Sequence, residues 1–122
     1  MSENKNVTVS RSLAMNRDPL GAVIVTKGEH LGKILSIRGD QVLHIGKDAS
    51  QCDLVFSDSR VSRVHLMVQF DREAKVYKVT DCKSTNGTAV NDKEMLEPRK
   101  VTKLKAGTRL LLGCREVEIT LG

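Results

Sequence analysis

The sequence is poor in aromatic residues, with no tryptophan, one tyrosine and two phenylalanines among 122 residues. Proteins that read single-stranded nucleic acid stack its bases on aromatic side chains, and many DNA-binding proteins place a recognition helix in the major groove. No segment shows a helical period over three turns, so a recognition helix is not predicted either. Although the net charge of +5 favours an acidic partner of some kind, we expect no nucleic-acid partner.

Cysteines are also few. Cys52, Cys82 and Cys114 lie far apart and form no C-x-x-C pair. Their number and spacing fit neither a disulfide framework nor a zinc site, and the three histidines lack the H-x-x-x-H spacing of metal ligands. We therefore expect buried or half-buried free thiols in a reducing cytoplasm, and no metal.

Long apolar runs are missing as well. The longest, Ala22–Val25 and Leu110–Leu112, have the length of a strand, whereas a membrane-spanning helix needs about 20 apolar residues. The first residues do not form the charged and then apolar pattern of a signal peptide. We expect a cytoplasmic protein that does not enter a membrane.

From Gly21 onward, short runs with a period of two alternate with turn residues. Such spacing is typical of an all-β sandwich or barrel. In the last run Val117, Ile119 and Leu121 alternate with polar residues that include Glu118, which predicts one buried and one solvent-facing side. The predicted strands are 22–26, 33–37, 41–45, 54–56, 65–70, 75–80, 88–90, 101–104, 109–112 and 115–121.

Residues 1–20 differ from the rest because they are polar, lack a sustained period and end at the turn signal Asp18-Pro19. We predict a disordered tail over 1–20 and one folded domain over 21–122. Thr8 in this tail is a candidate for phosphorylation by a kinase, although a polar tail of this length carries such a hydroxyl by chance.

Ser62 and His65, three residues apart, have the residue types of a nucleophile and its base. The strand-to-helix elbow G-x-S-x-G that exposes a nucleophilic serine is absent from the sequence, and the chain is short for a core together with a substrate pocket. We therefore expect no enzymatic activity, and we interpret His65 as a structural histidine that satisfies a loop backbone.

Three short segments, 43–47, 58–65 and 81–88, combine hydroxyls, cations and tight turns. A phosphate on a peptide requires several hydrogen-bond donors from different loops and at least one fixed positive charge. The hydroxyls of Ser62 and Thr85 and the cations of Lys47 and Arg63 would meet this requirement. The hypothesis is that the three segments meet at one end of a sandwich and bind a phosphorylated peptide.

The turns in these segments support the same hypothesis. Gly46 and Gly87 fit positions where a backbone bends sharply or approaches another closely. Asn86, just before Gly87, is a natural turn residue whose amide can both donate to and accept from a neighbouring main chain. Each feature alone is common in loops, and only the ordered set exceeds chance.

The ordered set resembles the forkhead-associated (FHA) domain family. The matching motifs are Ile45-Gly46-Lys47, Val61-Ser62-Arg63-Val64-His65 and Ser84-Thr85-Asn86-Gly87-Thr88. The family pattern is Gly-Arg after a strand, then Ser-x-x-His, then Ser/Thr-x-Asn-Gly, and the resemblance covers about 21–122. It implies a SMAD/FHA-like, eleven-stranded β-sandwich of two antiparallel sheets that binds phosphothreonine peptides across loops at one end, without catalysis or a cofactor.

The resemblance also implies roles for individual residues. Phosphate donors would be Lys47, Ser62 and Thr85, with Arg63 at the phosphate or the peptide backbone and Asn86 on the peptide main chain. Gly46, His65 and Gly87 would shape the loops. Family members commonly select the residue three places after the phosphothreonine, and Arg60 and Lys83 are placed to favour an acidic residue there, with ordinary solvated loop charges as the alternative.

One residue departs from the family pattern, because Lys47 occupies the position where the family usually has arginine. Arginine grips a phosphate with a planar fork, whereas lysine is a flexible point charge. The partner implied is a phosphothreonine-containing protein, either a Ser/Thr kinase or its substrate, or this chain's own tail phosphorylated at Thr8. The alternative function is a phosphate-independent docking or assembly module on the same fold.

Overall fold

The computed structural model describes residues 20–122 and contains, within this range, eleven β-strands and no helix. The all-β prediction and the strand number implied by the resemblance are confirmed. The predicted tail over 1–20, including Thr8, lies outside the described residues except for Leu20. The strands are β1 (Gly21–Lys27), β2 (Ile34–Ile37), β3 (Leu43–Gly46), β4 (Leu54–Val55), β5 (Leu66–Asp71), β6 (Val76–Asp81), β7 (Thr88–Val90), β8 (Glu94–Met95), β9 (Thr102–Leu104), β10 (Arg109–Leu112) and β11 (Glu118–Leu121).

The strands form two sheets, one of six strands in the order β2-β1-β11-β10-β7-β8 and one of five in the order β4-β3-β5-β6-β9. Paired neighbours are antiparallel except β3 and β4, which are parallel. The two antiparallel sheets implied by the resemblance are confirmed, with one parallel pair at this edge. Parallel neighbours need a crossover connection, and here the two residues of β4 pair with β3 after the chain turns back through 47–53.

Alternation along the strands places the core between the sheets. In β5, Leu66, Val68 and Phe70 are buried, and in the neighbouring β6, Tyr77 and Val79 are buried on the same face, as their period predicts. The rings of Phe70 and Tyr77 lie 4.8 Å apart between centroids. This face packs on apolar residues of the six-stranded sheet: Val23, Val25, Leu110, Leu112, Ile119 and Leu121.

The buried hydroxyl of Tyr77 finds partners in the opposite sheet. It accepts a hydrogen bond from the backbone N–H of Ala22 at 2.9 Å and donates one to the carbonyl of Gly122. A buried tyrosine hydroxyl without a partner would cost free energy. The single tyrosine of the chain therefore joins the two sheets at the end where the described chain begins and ends.

Two details of the six-stranded sheet differ from the sequence prediction. Glu118 was expected on the solvent side of β11 but is buried, because the hydroxyl of Thr26 donates to its carboxylate at 2.7 Å and the guanidinium of Arg109 lies 3.5 Å away. The two-residue strand β8 was not predicted, since both of its residues are exposed and carry no alternation.

Residues 20–122 hold no helix with the length and apolar character to span a membrane.

Candidate functional site

Three loops meet at one end of the sandwich: 47–53 between β3 and β4, 56–65 between β4 and β5, and 82–87 between β6 and β7. They border an open depression of about 420 Å³. Every residue with a predicted binding or specificity role lines this one depression: Lys47, Arg60, Ser62, Arg63, Lys83, Thr85 and Asn86. The structure thus brings the set together, while the part of each residue in ligand binding stays a prediction.

Backbone hydrogen bonds fasten loop 47–53 to loop 56–65. The N–H of Lys47 donates to the carbonyl of Ser62 and the N–H of Asp48 to the carbonyl of Arg63, both at 3.0 Å. A Cβ atom on Gly46 would lie 2.2 Å from the carbonyl oxygen of Arg63, which is closer than atoms pack. Glycine is therefore the residue that allows the two backbones to approach at this point.

Asp48 holds the turn that follows Lys47. Its carboxylate accepts hydrogen bonds from the Gln51 side chain at 2.6 Å, from the Ser50 hydroxyl at 2.7 Å and from the Ser50 N–H at 2.9 Å. The bonds from Gln51 and Ser50 lower the pKa of Asp48. The hydrogen bonds of this carboxylate stay within its own loop, and its charge also interacts with Arg63.

The turn between β1 and β2 supports the start of loop 56–65. The carboxylate of Glu29 accepts hydrogen bonds from the N–H and the hydroxyl of Ser57 at 2.7 and 2.9 Å, and a ring nitrogen of His30 lies 2.9 Å from the carbonyl of Val55. The bonds from Ser57 lower the pKa of Glu29. Loop 56–65 is thus held at both of its ends.

His65 links two of the three loops from beneath. Its Nδ1 accepts a hydrogen bond from the N–H of Ser62 at 3.0 Å, so the ring proton is on Nε2, which donates to the carbonyl of Gly87 at 3.0 Å. The side chain is fully buried, and burial lowers its pKa. A neutral imidazole with both nitrogens bonded to backbone matches the structural interpretation of this histidine.

Asp81 organises loop 82–87, a role that sequence reasoning did not assign. Its buried carboxylate accepts from the N–H and hydroxyl of Ser84 at 2.7 and 2.6 Å and from the hydroxyl of Thr88 at 2.6 Å. Burial raises the pKa of Asp81, but these hydrogen bonds outweigh burial and the net pKa is lowered. The signal available in the sequence was the Asp-x-x-Ser spacing, since a short acidic side chain commonly caps a turn in this way.

The floor of the depression joins loop 56–65 to loop 82–87. The N–H of Thr85 donates to the hydroxyl oxygen of Ser62 at 2.9 Å, and the side-chain amide of Asn86 donates to the carbonyl of Arg60 at 3.0 Å. Because the Ser62 oxygen acts as an acceptor, its own proton remains available to a further acceptor. Gly87 follows with φ +82°, a left-handed conformation that favours glycine.

The four cations of the depression fall into two classes. Lys47, Arg63 and Lys83 are exposed, and within residues 20–122 none of them forms a salt bridge with a carboxylate. Arg60 is held by Asp58 and by a glutamate of the turn between β10 and β11. Three exposed cations without a salt bridge among the described residues, beside a donor hydroxyl, are groups that suit an anion.

No cluster of three or more potential metal ligands occurs among residues 20–122. All three cysteines are free and half-buried, as predicted. Burial raises the pKa of the thiols of Cys52 and Cys82, which disfavours the nucleophilic thiolate form.

Similar folds occur among solved structures. The FHA domain of the CT664 protein from Chlamydia trachomatis matches with a TM-score of 0.74 at 21% identity, over 84% of this chain and 96% of that one. The N-terminal FHA domain of Rad53p from S. cerevisiae, solved with a phosphothreonine peptide, matches with a TM-score of 0.68 at 21% identity, over 84% and 92%. The FhaA FHA domain, solved with the intracellular domain of Rv3910, matches with a TM-score of 0.66 at 26% identity, over 84% and 99%.

No curated protein matches this sequence significantly. The family model of the FHA domain matches residues 43–113. This stretch runs from β3 to the start of the turn after β10 and includes all three loops of the depression. It is more than half of the chain, and the chain therefore belongs to the FHA domain family.

Proposed function

We propose that this domain binds phosphothreonine-containing segments of a partner protein, a Ser/Thr kinase or its substrate, and performs no catalysis. The observation that carries the proposal is the arrangement around Ser62. Its hydroxyl oxygen accepts from the N–H of Thr85 at 2.9 Å, which leaves its proton available to a ligand between loops that carry the exposed cations Lys47 and Arg63.

The chemistry of a phosphate ester fits this arrangement. Phosphothreonine carries a charge of about −1.5 to −2 at neutral pH and has three strong acceptor oxygens. Hydroxyl protons of Ser62 and Thr85 and the ammonium of Lys47 would satisfy these oxygens from three loops, with Arg63 beside them. Asn86 still has its carbonyl oxygen and one N–H after bonding Arg60, and these atoms suit the main chain of a bound peptide.

The Rad53p domain, a member of the same family, was solved with a phosphothreonine peptide, and its relationship to this chain supports the proposal. The folded unit would extend over 21–122 and act in the cytoplasm. Residues 1–20 would form a tail, and phosphorylation of Thr8 would supply an internal ligand. Thr8 lies outside the described residues, so this last part rests on the sequence alone.

The geometry around Ser62 argues against hydrolytic chemistry. A general base must lie within hydrogen-bonding reach of the hydroxyl that it deprotonates. Here Nδ1 of His65 bonds the backbone N–H of Ser62, and Nε2 bonds the carbonyl of Gly87. Both ring nitrogens are engaged by backbone groups, which supports a recognition module and not an enzyme.

A second candidate function is phosphate-independent docking on the same fold. The observation that favours it is Lys47, which cannot offer the two-bond grip of the family's usual arginine. The loss of one charge-assisted hydrogen bond costs about 1.5–3 kcal/mol, or roughly ten- to a hundredfold in affinity. Arg63, exposed beside Lys47 in the depression, would compensate under the leading proposal.

Isothermal titration distinguishes these functions. A degenerate phosphothreonine peptide library first selects a ligand for the wild-type domain, and the selected peptide is then titrated with and without its phosphate. We expect binding only with phosphate, and we expect Lys47→Ala and Ser62→Ala to weaken it at least tenfold. Equal affinity for both peptides would establish the docking alternative, and absence of phosphate-dependent selection would overturn the leading proposal.

A further inference from the structure

Arg60 takes part in an ion-pair network at the edge of the depression. Its Nε and Nη2 bind the two carboxylate oxygens of Asp58 at 3.0 and 2.9 Å, in a bidentate pair. Its Nη1 binds the carboxylate of Glu116, in the turn between β10 and β11, at 2.8 Å. Each nitrogen of the guanidinium therefore makes one contact within the chain, which uses three of its five N–H groups.

The backbone of Arg60 is equally constrained. Its carbonyl accepts the amide of Asn86 at 3.0 Å. The same carbonyl packs against Gly113, where an added Cβ atom would lie 2.2 Å from the oxygen and where φ is +77°. One residue thus connects the turn between β10 and β11 to the side chain that faces the peptide in the proposed function.

The charge balance decides what this network can recognise. One guanidinium and two carboxylates sum to a net charge of −1 at this edge of the depression. A single exposed ion pair contributes little, about 0–1 kcal/mol, but a bidentate pair within a network is preorganised. Two of the five guanidinium N–H groups are left for an acidic peptide side chain, and its carboxylate would approach two carboxylates that are already in place, which disfavours it.

Resting on the proposed phosphothreonine recognition, we propose that Arg60 is a positioning residue that aligns Asn86 through the turn between β10 and β11 and does not read an acidic peptide residue. For Arg60, this assignment replaces the selective role expected from the sequence. Lys83 remains available for that role, because it lines the depression without a salt bridge in the described part of the chain. Asp58 and Glu116 then act as elements that keep Arg60 away from the ligand.

The test has two readouts, the preference of the domain for Asp over Ala in the peptide and the NMR signal of the Asn86 side-chain amide. A series of phosphothreonine peptides carries Asp or Ala at each of the four positions before and after the phosphothreonine. Each peptide is titrated against wild type, Arg60→Ala and the double variant Asp58→Asn/Glu116→Gln. The double variant changes the local charge from −1 to +1, and the freed guanidinium should favour Asp over Ala about tenfold at one position. For wild type and for Arg60→Ala, the ratio of the affinity for the Asp peptide to the affinity for the Ala peptide should be the same at that position.

The positioning role is measured by NMR, without any peptide. Glu116→Gln should shift the side-chain amide resonances of Asn86, because the amide donates to the carbonyl of Arg60. Glu97→Gln is the matched control, since it removes a solvent-exposed carboxylate whose partner is Lys100, at 3.6 Å, and should leave these resonances unchanged. An effect confined to global stability would not produce the selective shift.

Two results would overturn the proposal. One is a wild-type preference for Asp that Arg60→Ala abolishes, because Arg60 would then contact the peptide directly. The other is an unshifted Asn86 amide in Glu116→Gln. If wild type shows no phosphate-dependent binding, the proposed function fails, and the Asn86 signal still decides whether Arg60 positions that side chain.

Discussion

His65 accepts a hydrogen bond from the backbone N–H of Ser62 through its Nδ1 atom, at 3.0 Å. The bond requires the neutral ring, because a protonated Nδ1 has no lone pair to offer. The same ring donates to the carbonyl of Gly87, so one buried neutral side chain joins two loops of the candidate site.

The first prediction is a dependence of stability on pH that comes from His65. Burial lowers its pKa in the fold, whereas in the unfolded chain the pKa of histidine is about 6.5. The unfolded state therefore binds the proton first as the pH falls. The stabilising contribution is complete above about pH 6.5 and is lost as the pH drops through the lowered pKa, at up to about 1.4 kcal/mol per pH unit.

Urea unfolding at several pH values between 7.5 and 5 measures this dependence. Wild type should lose stability as the pH falls over this window. His65→Gln should be less stable at pH 7.5 and show a flatter profile. A profile of His65→Gln as steep as that of wild type would contradict the prediction.

The second prediction concerns Asp81. Asp81→Ala removes the acceptor for the N–H and hydroxyl of Ser84 and for the buried hydroxyl of Thr88. Leaving such donors unsatisfied costs about 1–3 kcal/mol, so we expect the free energy of unfolding to fall by at least that amount. The exposed Asp40 is the control, and Asp40→Ala should stay within about 0.5 kcal/mol of wild type. Equal stability of the two variants in chemical denaturation would refute the organising role of Asp81.

A third prediction follows from the contact of Gly46 with the Arg63 carbonyl. Gly46→Ala would place a methyl carbon 2.2 Å from that oxygen, so the two loops must separate. We expect a loss of about 1–3 kcal/mol of stability together with weaker phosphopeptide binding. Gly39→Ala is the control, because the nearest atom to its added carbon is in the Arg72 side chain at 3.5 Å. Thermal unfolding and titration of both variants check this, and an intact Gly46→Ala domain with normal affinity would contradict it.

The fourth prediction uses the departure of Lys47 from the family pattern. Lys47→Arg supplies a planar fork at the same position, and one more charge-assisted hydrogen bond should raise phosphopeptide affinity about tenfold. Lys47→Ala should lower it by at least as much. Lys105→Ala removes an exposed charge outside the depression and should change affinity less than twofold, measured by titration at constant ionic strength because exposed charges are screened by salt. If none of the three substitutions changed the affinity, the phosphate would have to bind at a site away from Lys47.

Local pattern was sufficient for much of this molecule. The period of two in Leu66, Val68 and Phe70 predicted the buried face of β5, and turn residues around Asn86 and Gly87 predicted a tight loop. Such features depend on neighbours in the chain, since side chains alternate across a strand whatever the strand later packs against. The ordered motifs around Gly46, Ser62 and Asn86 were enough to indicate which loops belong together.

Long-range contacts produced the features that the pattern did not predict. Glu118 is buried because Thr26 and Arg109, distant in sequence, cover and neutralise it. The parallel pairing of β3 with β4 depends on a loop that folds back, and the ion pairs of Arg60 depend on Glu116, which reaches the site from another hairpin. Alternation and motif spacing thus established the sandwich and the loops at its end. Only the tertiary structure determines which charged side chains in those loops form salt bridges. The reason is that an ion pair depends on the distance between two groups in space and not on their separation in the sequence.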